Sequence, residues 1–242
     1  MCLLSQELCE NIHKIGVYNS YMPSPTEKLK PYAQIKAFKK GANIFFQGEV
    51  PRKGVMVADG VVRSYTIATS GEERTIAFFT TNDILPLSWL MGTTSTSLFY
   101  YEAVSDVRTL QFSKEDFKTQ ILDDQPTLLA LFETLSRDHT AAMLRINGLE
   151  QSRAEEKVAF TMYYLVFRYG VKDGNSDLYT INISLRQSTI ASLVGLSRES
   201  TTRILGSLQK KNIISYKSGT YKINKTLLEQ HIGEDAFRDV TL

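Results

Sequence analysis

Residues 183–205, ISLRQSTIASLVGLSRESTTRIL, leave this chain little freedom in what it can build locally. Within Gln187–Val194 the apolar residues Ile190, Leu193 and Val194 keep the i, i+3, i+4 spacing of one buried helical face. Gly195 then supplies the positive φ that a close helix-to-helix turn requires, and Leu196 plugs the corner. Ser197 is a good N-cap, with Glu199 in the first turn, where the helix dipole favours an anion. The second helix is predicted to bury Ile204, Leu205 and Leu208 and to present Arg198, Glu199, Thr202 and Arg203 on its other side. Arginine pairs bidentately with the guanine edge and glutamate accepts from the cytosine amino group, so such a face suits a DNA major groove. Glu199 and Arg203 are equally the i, i+4 ion pair of an ordinary solvated helix, and spacing alone leaves both readings standing.

The residues flanking the two helices favour the DNA-groove reading. NIISYKSGTYKI holds two β-rich runs joined across Ser218 and Gly219, a hairpin signal, and LYTINI (178–183) supplies a strand just before the first helix. A helix-turn-helix followed at once by a small hairpin is a winged helix, with Lys217 and Lys222 placed near phosphates. RQSTIASLVGLSRESTTRILGSLQKKNII resembles the winged helix of the Crp/Fnr family of bacterial transcription regulators, most specifically in its S-R-E-[ST]-x-x-R core. The resemblance puts Arg198, Glu199 and Arg203 on base-reading positions and Arg186 and Gln187 at the start of the first motif helix. Ser197 and Thr202, with Arg186, Gln187, Lys217 and Lys222, would hold phosphates and set register.

The fold this implies is α+β: an N-terminal double-stranded β-roll like that of cyclic-nucleotide-binding domains, a long central dimerisation helix and a C-terminal winged helix-turn-helix. The corresponding segments are 1–124 for the β-roll with an N-terminal arm, 125–152 for the central helix and 153–242 for the DNA-binding domain.

Composition fits that plan. A chain of 242 residues with 43% hydrophobic and 22% charged side chains has room for two cored domains. The net charge is only +2, so affinity for nucleic acid must come from local placement. Between positions 186 and 225 the basic residues Arg186, Arg198, Arg203, Lys210, Lys211, Lys217, Lys222 and Lys225 face Glu199 as the only acid. Cys2 and Cys9 are the only cysteines, which fits a reducing cytoplasm and cannot supply the four thiolates of an ordinary iron–sulfur cluster in one chain. Neither an export signal nor an apolar run approaching the ~20 residues of a membrane span is legible, so a cytoplasmic protein is expected.

Residues 1–29 read as a short helical segment and a proline-containing connector. From 34 to about 112 the signals are β. Lys40-Gly41 and Gln47-Gly48 bracket a short strand at 44–46, Asp59-Gly60 reads as the turn of a tight hairpin, and Ser70-Gly71 turns into a strand over Glu73–Phe79. In nucleotide-binding relatives a Gly-Glu pair and an Arg-Ser or Arg-Thr pair hold the ribose and cyclic phosphate. Here those positions carry Pro86-Leu87 and Ser97-Leu98, within apolar and aromatic surroundings. A buried phosphate without a cationic partner is costly, so cAMP and cGMP are not expected to bind in the usual manner. Two readings stand for that region. Leu87, Trp89, Phe99, Tyr100, Tyr101, Ala142 and Met143 line a pocket for an apolar small-molecule effector, or the aromatic side chains simply fill the roll. His13, His139 and His231 lie outside the β-roll pattern, which leaves haem ligation a distant third. No cofactor is predicted.

Residues 116–122 read as a short helix, and Asp123-Asp-Gln-Pro126 opens a longer one with proline in its first turn. Leu128, Leu131, Phe132, Leu135, His139, Met143 and Ile146 keep a three-four spacing and form a candidate dimer seam, whose alternative is burial against the chain's own β-roll. The polar stretch 152–157 reads as a hinge, 158–169 as an amphipathic helix, and 170–177 as a turn-rich loop. In activating relatives a loop at that place touches RNA polymerase. The tail from Thr226 shows one helical turn. The leading function is a homodimeric, sequence-specific regulator reading a pseudo-palindrome in double-stranded DNA; the alternative is a sensor or adaptor whose winged helix docks a protein. No P-loop, metal-spaced His/Cys set or nucleophile elbow is present, so no enzyme is expected.

Overall fold

The computed structural model describes residues 25–233, so the expected N-terminal helical segment lies largely outside the described residues. The described residues divide into two compact units, one from 25–62 and 79–134, the other from 63–78 and 135–233.

The first unit opens with a short helix α1 (Pro25–Leu29) and a 3-10 turn, Lys30–Tyr32. Its strands are β1 (Gln34–Phe38), β2 (Asn43–Phe45), β3 (Gly54–Asp59), β4 (Val62–Ile67, shared with the second unit), β5 (Glu73–Phe79, largely in the second unit) and β6 (Ile84–Leu85). A four-residue helix α2 (Leu87–Leu90) precedes β7 (Tyr100–Ala103) and β8 (Val107–Phe112). One sheet runs β1-β8-β3-β6 with antiparallel neighbours, and β2 pairs with β7. Asp59 and Gly60 do turn the chain, but not into the tight hairpin the dipeptide predicts. Strand β3 pairs with β6 and β8, so the turn carries the chain from one sheet into another. Gly60 adopts φ +94°, and a Cβ there would collide with the Asp106 carbonyl oxygen. The core of the unit is Phe45, Val55, Val57, Val62, Leu85, Tyr101, Ala103 and Val107.

Helix α3 (Lys114–Phe117) is shorter than expected, and a π turn, Lys118–Leu122, replaces the rest of the predicted helix at 116–122. Ser113 closes a capping box with Asp116 at its start. The long helix α4 (Gln125–Glu150) comes next, its first turn closed by the Asp124 carboxylate, which accepts the Thr127 N–H at 3.2 Å.

In the second unit three residues separate the end of α4 from helix α5 (Ala154–Tyr169). The interruption is therefore 151–153; residues 154–157, expected in the hinge, form the first turn of α5. Nor is this helix amphipathic through its middle, since every residue from Val158 to Val166 is buried. A helix apolar all round belongs at the centre of its domain, and the helices of the motif pack on it. Strands β9 (Gly170–Lys172) and β10 (Leu178–Ile181) come next, so part of the predicted loop at 170–177 is a strand and the loop shortens to 173–177. Helices α6 (Gln187–Val194) and α7 (Arg198–Lys210), the wing strands β11 (Ile214–Lys217) and β12 (Thr220–Asn224) and helix α8 (Lys225–Ile232) complete the unit. The sheet order is β11-β12-β10-β9. The tail thus holds a two-turn helix, not a single turn.

Candidate DNA interface

The helix-turn-helix is built as its sequence dictates. Gly195 sits at φ +68°, its N–H donating to Ala191, and Ser197 Oγ accepts the Ser200 N–H at 3.2 Å to cap α7. Ile190, Leu193, Val194, Leu205 and Leu208 are buried, as are Ala191 and Thr201. Ile204 is half-buried and not part of that core. Arg198, Glu199, Thr202 and Arg203 are exposed together on the outer face. No ion pair joins Glu199 to Arg203, so both guanidinium groups stand without a charged partner among the described residues.

The positioning residues are less uniform. Arg186, at the N-cap of α6, and Lys217, at the end of β11, are exposed. Thr202 and Gln187 are joined, the hydroxyl donating to Gln187 Oε1 at 2.8 Å, which ties the two motif helices together. Lys222 is exposed, yet its ammonium lies 2.7 Å from Asp173 Oδ2. Hydrogen bonds from Lys222 and Thr180 hold the Asp173 carboxyl below its ordinary range.

Three contacts that local patterning cannot show fasten the β4–β5 arm to this unit. The Tyr169 hydroxyl, at the end of α5, donates to the Phe78 carbonyl at 2.9 Å and accepts the Phe78 N–H at 3.1 Å. Burial raises the Tyr169 phenol far above its usual range, so it stays protonated and able to donate. Ser192 Oγ on α6 donates to the Glu73 carbonyl and accepts the Thr75 N–H, each at 3.2 Å. Arg145 on α4 donates to the Thr75 carbonyl at 2.9 Å.

The region expected to meet a cyclic nucleotide holds no clamp. Pro86 is buried, Leu87 opens α2, and the buried Ser97 hydroxyl donates to the Phe99 carbonyl at 2.8 Å. Tyr101 is buried, meets Phe45 edge-on at 5.9 Å and Phe79 at 5.6 Å, and has its phenol pushed up to about 12 by burial. The Lys114 ammonium is bound to the Trp89 carbonyl at 2.9 Å and lies over the indole ring. These residues do not fit a cyclic phosphate. Of the expected pocket set, Trp89 and Tyr101 are buried, Leu87, Phe99 and Tyr100 half-buried, and Ala142 and Met143 exposed on α4. Along that helix Phe132, Met143 and Ile146 are strongly exposed, His139 is exposed, and Leu128 and Leu135 are half-buried. Leu131 departs from the expected seam: it is 4% exposed, one helical step round from Phe132.

A β-roll joined by a long helix to a winged helix-turn-helix defines a class of DNA-binding regulator. Residues 35–124 match the model of the cyclic nucleotide-binding domain, and residues 156–229 that of the Crp-like helix-turn-helix domain. The chain belongs to the Crp/Fnr family of transcription regulators. It is 26% identical over 218 residues to the cyclic AMP receptor protein of Thermus thermophilus, covering 89% of this chain and 95% of the relative. It is also 26% identical over 200 residues to the global nitrogen regulator of Synechococcus elongatus, covering 81% and 89%. In fold it is similar to a CooA mutant from Carboxydothermus hydrogenoformans, with TM-score 0.68, 20% identity and coverage of 89% and 94%. FixK2 from Bradyrhizobium japonicum gives TM-score 0.66, 18% identity and coverage of 82% and 96%.

Proposed function

We propose that this regulator acts as a homodimer, reading a pseudo-palindromic operator with Arg198, Glu199 and Arg203 of two α7 helices set about 34 Å apart in successive major grooves. The observation that carries the reading is the outer face of α7, where two guanidinium groups lack a charged partner while the helix's other face anchors it through Thr201, Leu205 and Leu208. Arg186, Ser197, Lys217 and Lys222 would contact phosphates, and Gln187 and Thr202 would act by holding the two motif helices in register. The exposed face of α4, with Leu128, Phe132, Leu135, His139, Met143 and Ile146, would form the two-fold seam.

The β-roll would not sense cAMP or cGMP through a phosphate clamp. Tyr101, Phe45 and Phe79 fill its interior, which favours a filled roll over an effector pocket. Loop 173–177, tied down by Asp173 to Lys222 and by Asp177 to Thr226, offers RNA polymerase a surface of defined shape. Gel retardation of duplex DNA tests the core of the reading: complexes should form and weaken steeply with salt. Absence of any complex at low salt would favour a winged helix that docks a protein.

A further inference from the structure

The β4–β5 hairpin is sensor by sequence order, yet it is fastened to the DNA-binding unit, and its grip on α6 is through the residues either side of Arg74. Glu73 and Thr75 hold Ser192 through their backbone, and Arg145 holds the Thr75 carbonyl. Arg74 itself is exposed and makes no hydrogen bond or ion pair with a described residue. It lines a cavity of about 510 Å³ together with the turn of the helix-turn-helix, from Ser192 to Ser197. Arg186 marks the other end of the same helix. At ~1.5 Å per residue α6 is about 12 Å long, close to the ~12 Å width of a major groove. Arg186 and Arg74 therefore flank the two ends of the helix that lies across the groove.

We propose that Arg74 is a DNA-backbone contact, so that the β4–β5 hairpin touches the operator beside the N-terminus of α7. This rests on the DNA-binding reading above and extends it to a sensor-side element. The hairpin carries a guanidinium to the phosphate strand that borders the turn, while Arg186 serves the strand at the other end of α6. Glu72, which also lines the cavity, opposes that contact by placing a carboxylate near the phosphates. Any displacement of the hairpin from Ser192 then withdraws a phosphate contact directly.

The full-length protein should be titrated by fluorescence anisotropy against two duplexes of equal length, one enriched from a random pool by the wild type and one of random sequence. One phosphate contact contributes ~0.9 to the slope of log affinity against log salt, or about 3.5-fold between 50 and 200 mM. With one Arg74 in each protomer of the dimer, Arg74→Ala should flatten the slope by about 1.8, or about 12-fold over that range, on both duplexes, and Arg74→Lys should keep it. Glu72→Gln should shift affinity the opposite way, a result that a merely structural role for the hairpin would not give. An unchanged slope in Arg74→Ala beside a wild type that binds would overturn this proposal alone. A wild type that binds neither duplex would overturn it together with the DNA-binding reading. Addition of inorganic phosphate separates the two sources of the same chemistry: if millimolar phosphate protects the wild type but not Arg74→Ala against heat without any slope change, the site takes a free anion and the proposal fails.

Discussion

Lys222 illustrates how a neighbour far along the chain redefines a side chain's role. By pattern it is a bare wing lysine, whereas in the fold Asp173 shares its charge. Asp173→Asn should release the ammonium in both protomers, tightening binding to random DNA and steepening its salt slope by up to about 1.8; a loss of affinity would contradict that account. Arg198→Ala should cost ~1–3 kcal/mol on the selected operator, relax base preference at one symmetric position and leave random-duplex affinity nearly unchanged. That Arg198, Glu199 and Arg203 share one exposed face was legible beforehand because a helical face depends on spacing alone, whereas their base-reading role rests on the resemblance. Lys222–Asp173, Tyr169–Phe78 and Ser192–Thr75 join residues 49, 91 and 117 positions apart, and no local rule reports such meetings.

At the level of elements, the turns were readable and their destinations were not. Asp-Gly at 59–60 marks a reversal, but whether the next strand pairs with the last one depends on which sheet buries its side chains. The glycine inside α4 carries a further lesson. Gly148 would gain about 1 kcal/mol of helix propensity as alanine, yet its Cβ would lie 2.8 Å from Phe160 Cβ on α5. Overpacking of ~1–3 kcal/mol outweighs the gain, so Gly148→Ala should lower Tm; a higher Tm would show that α4 and α5 can part at no cost. The junctions of α5 also carry a pH dependence. A hydrogen bond from Lys211, and then the proximity of His231, hold the Glu155 carboxyl below its ordinary range. A depressed carboxylate stabilises the fold above its unfolded value of ~4.3 and loses that contribution as pH falls through the folded value. Between about pH 5 and 3 the wild type should therefore lose Tm faster than Glu155→Gln, and parallel curves would exclude the link.

For the whole molecule, the architecture followed from a single recognisable motif, and the division into compact units did not. Residues 63–78 belong with the C-terminal residues in space, although sequence order places them inside the β-roll. The association of two chains is the remaining large-scale claim. Phe132 is 58% exposed and Ile146 51%, more than a monomer gains by leaving open on one helical face. Phe132→Asp should convert the dimer to monomer by native mass spectrometry and abolish operator binding, while a dimer of unchanged stability would move the interface elsewhere.

Selection from a random-sequence pool, run in parallel with wild type and Arg198→Ala, tests the central claim most directly. The account predicts that the wild type enriches an inverted repeat with half-sites centred 10–10.5 base pairs apart, or a multiple of that spacing, and that the variant loses information at one symmetric base pair in each half. Enrichment of no repeat, or an unchanged motif in the variant, would contradict it.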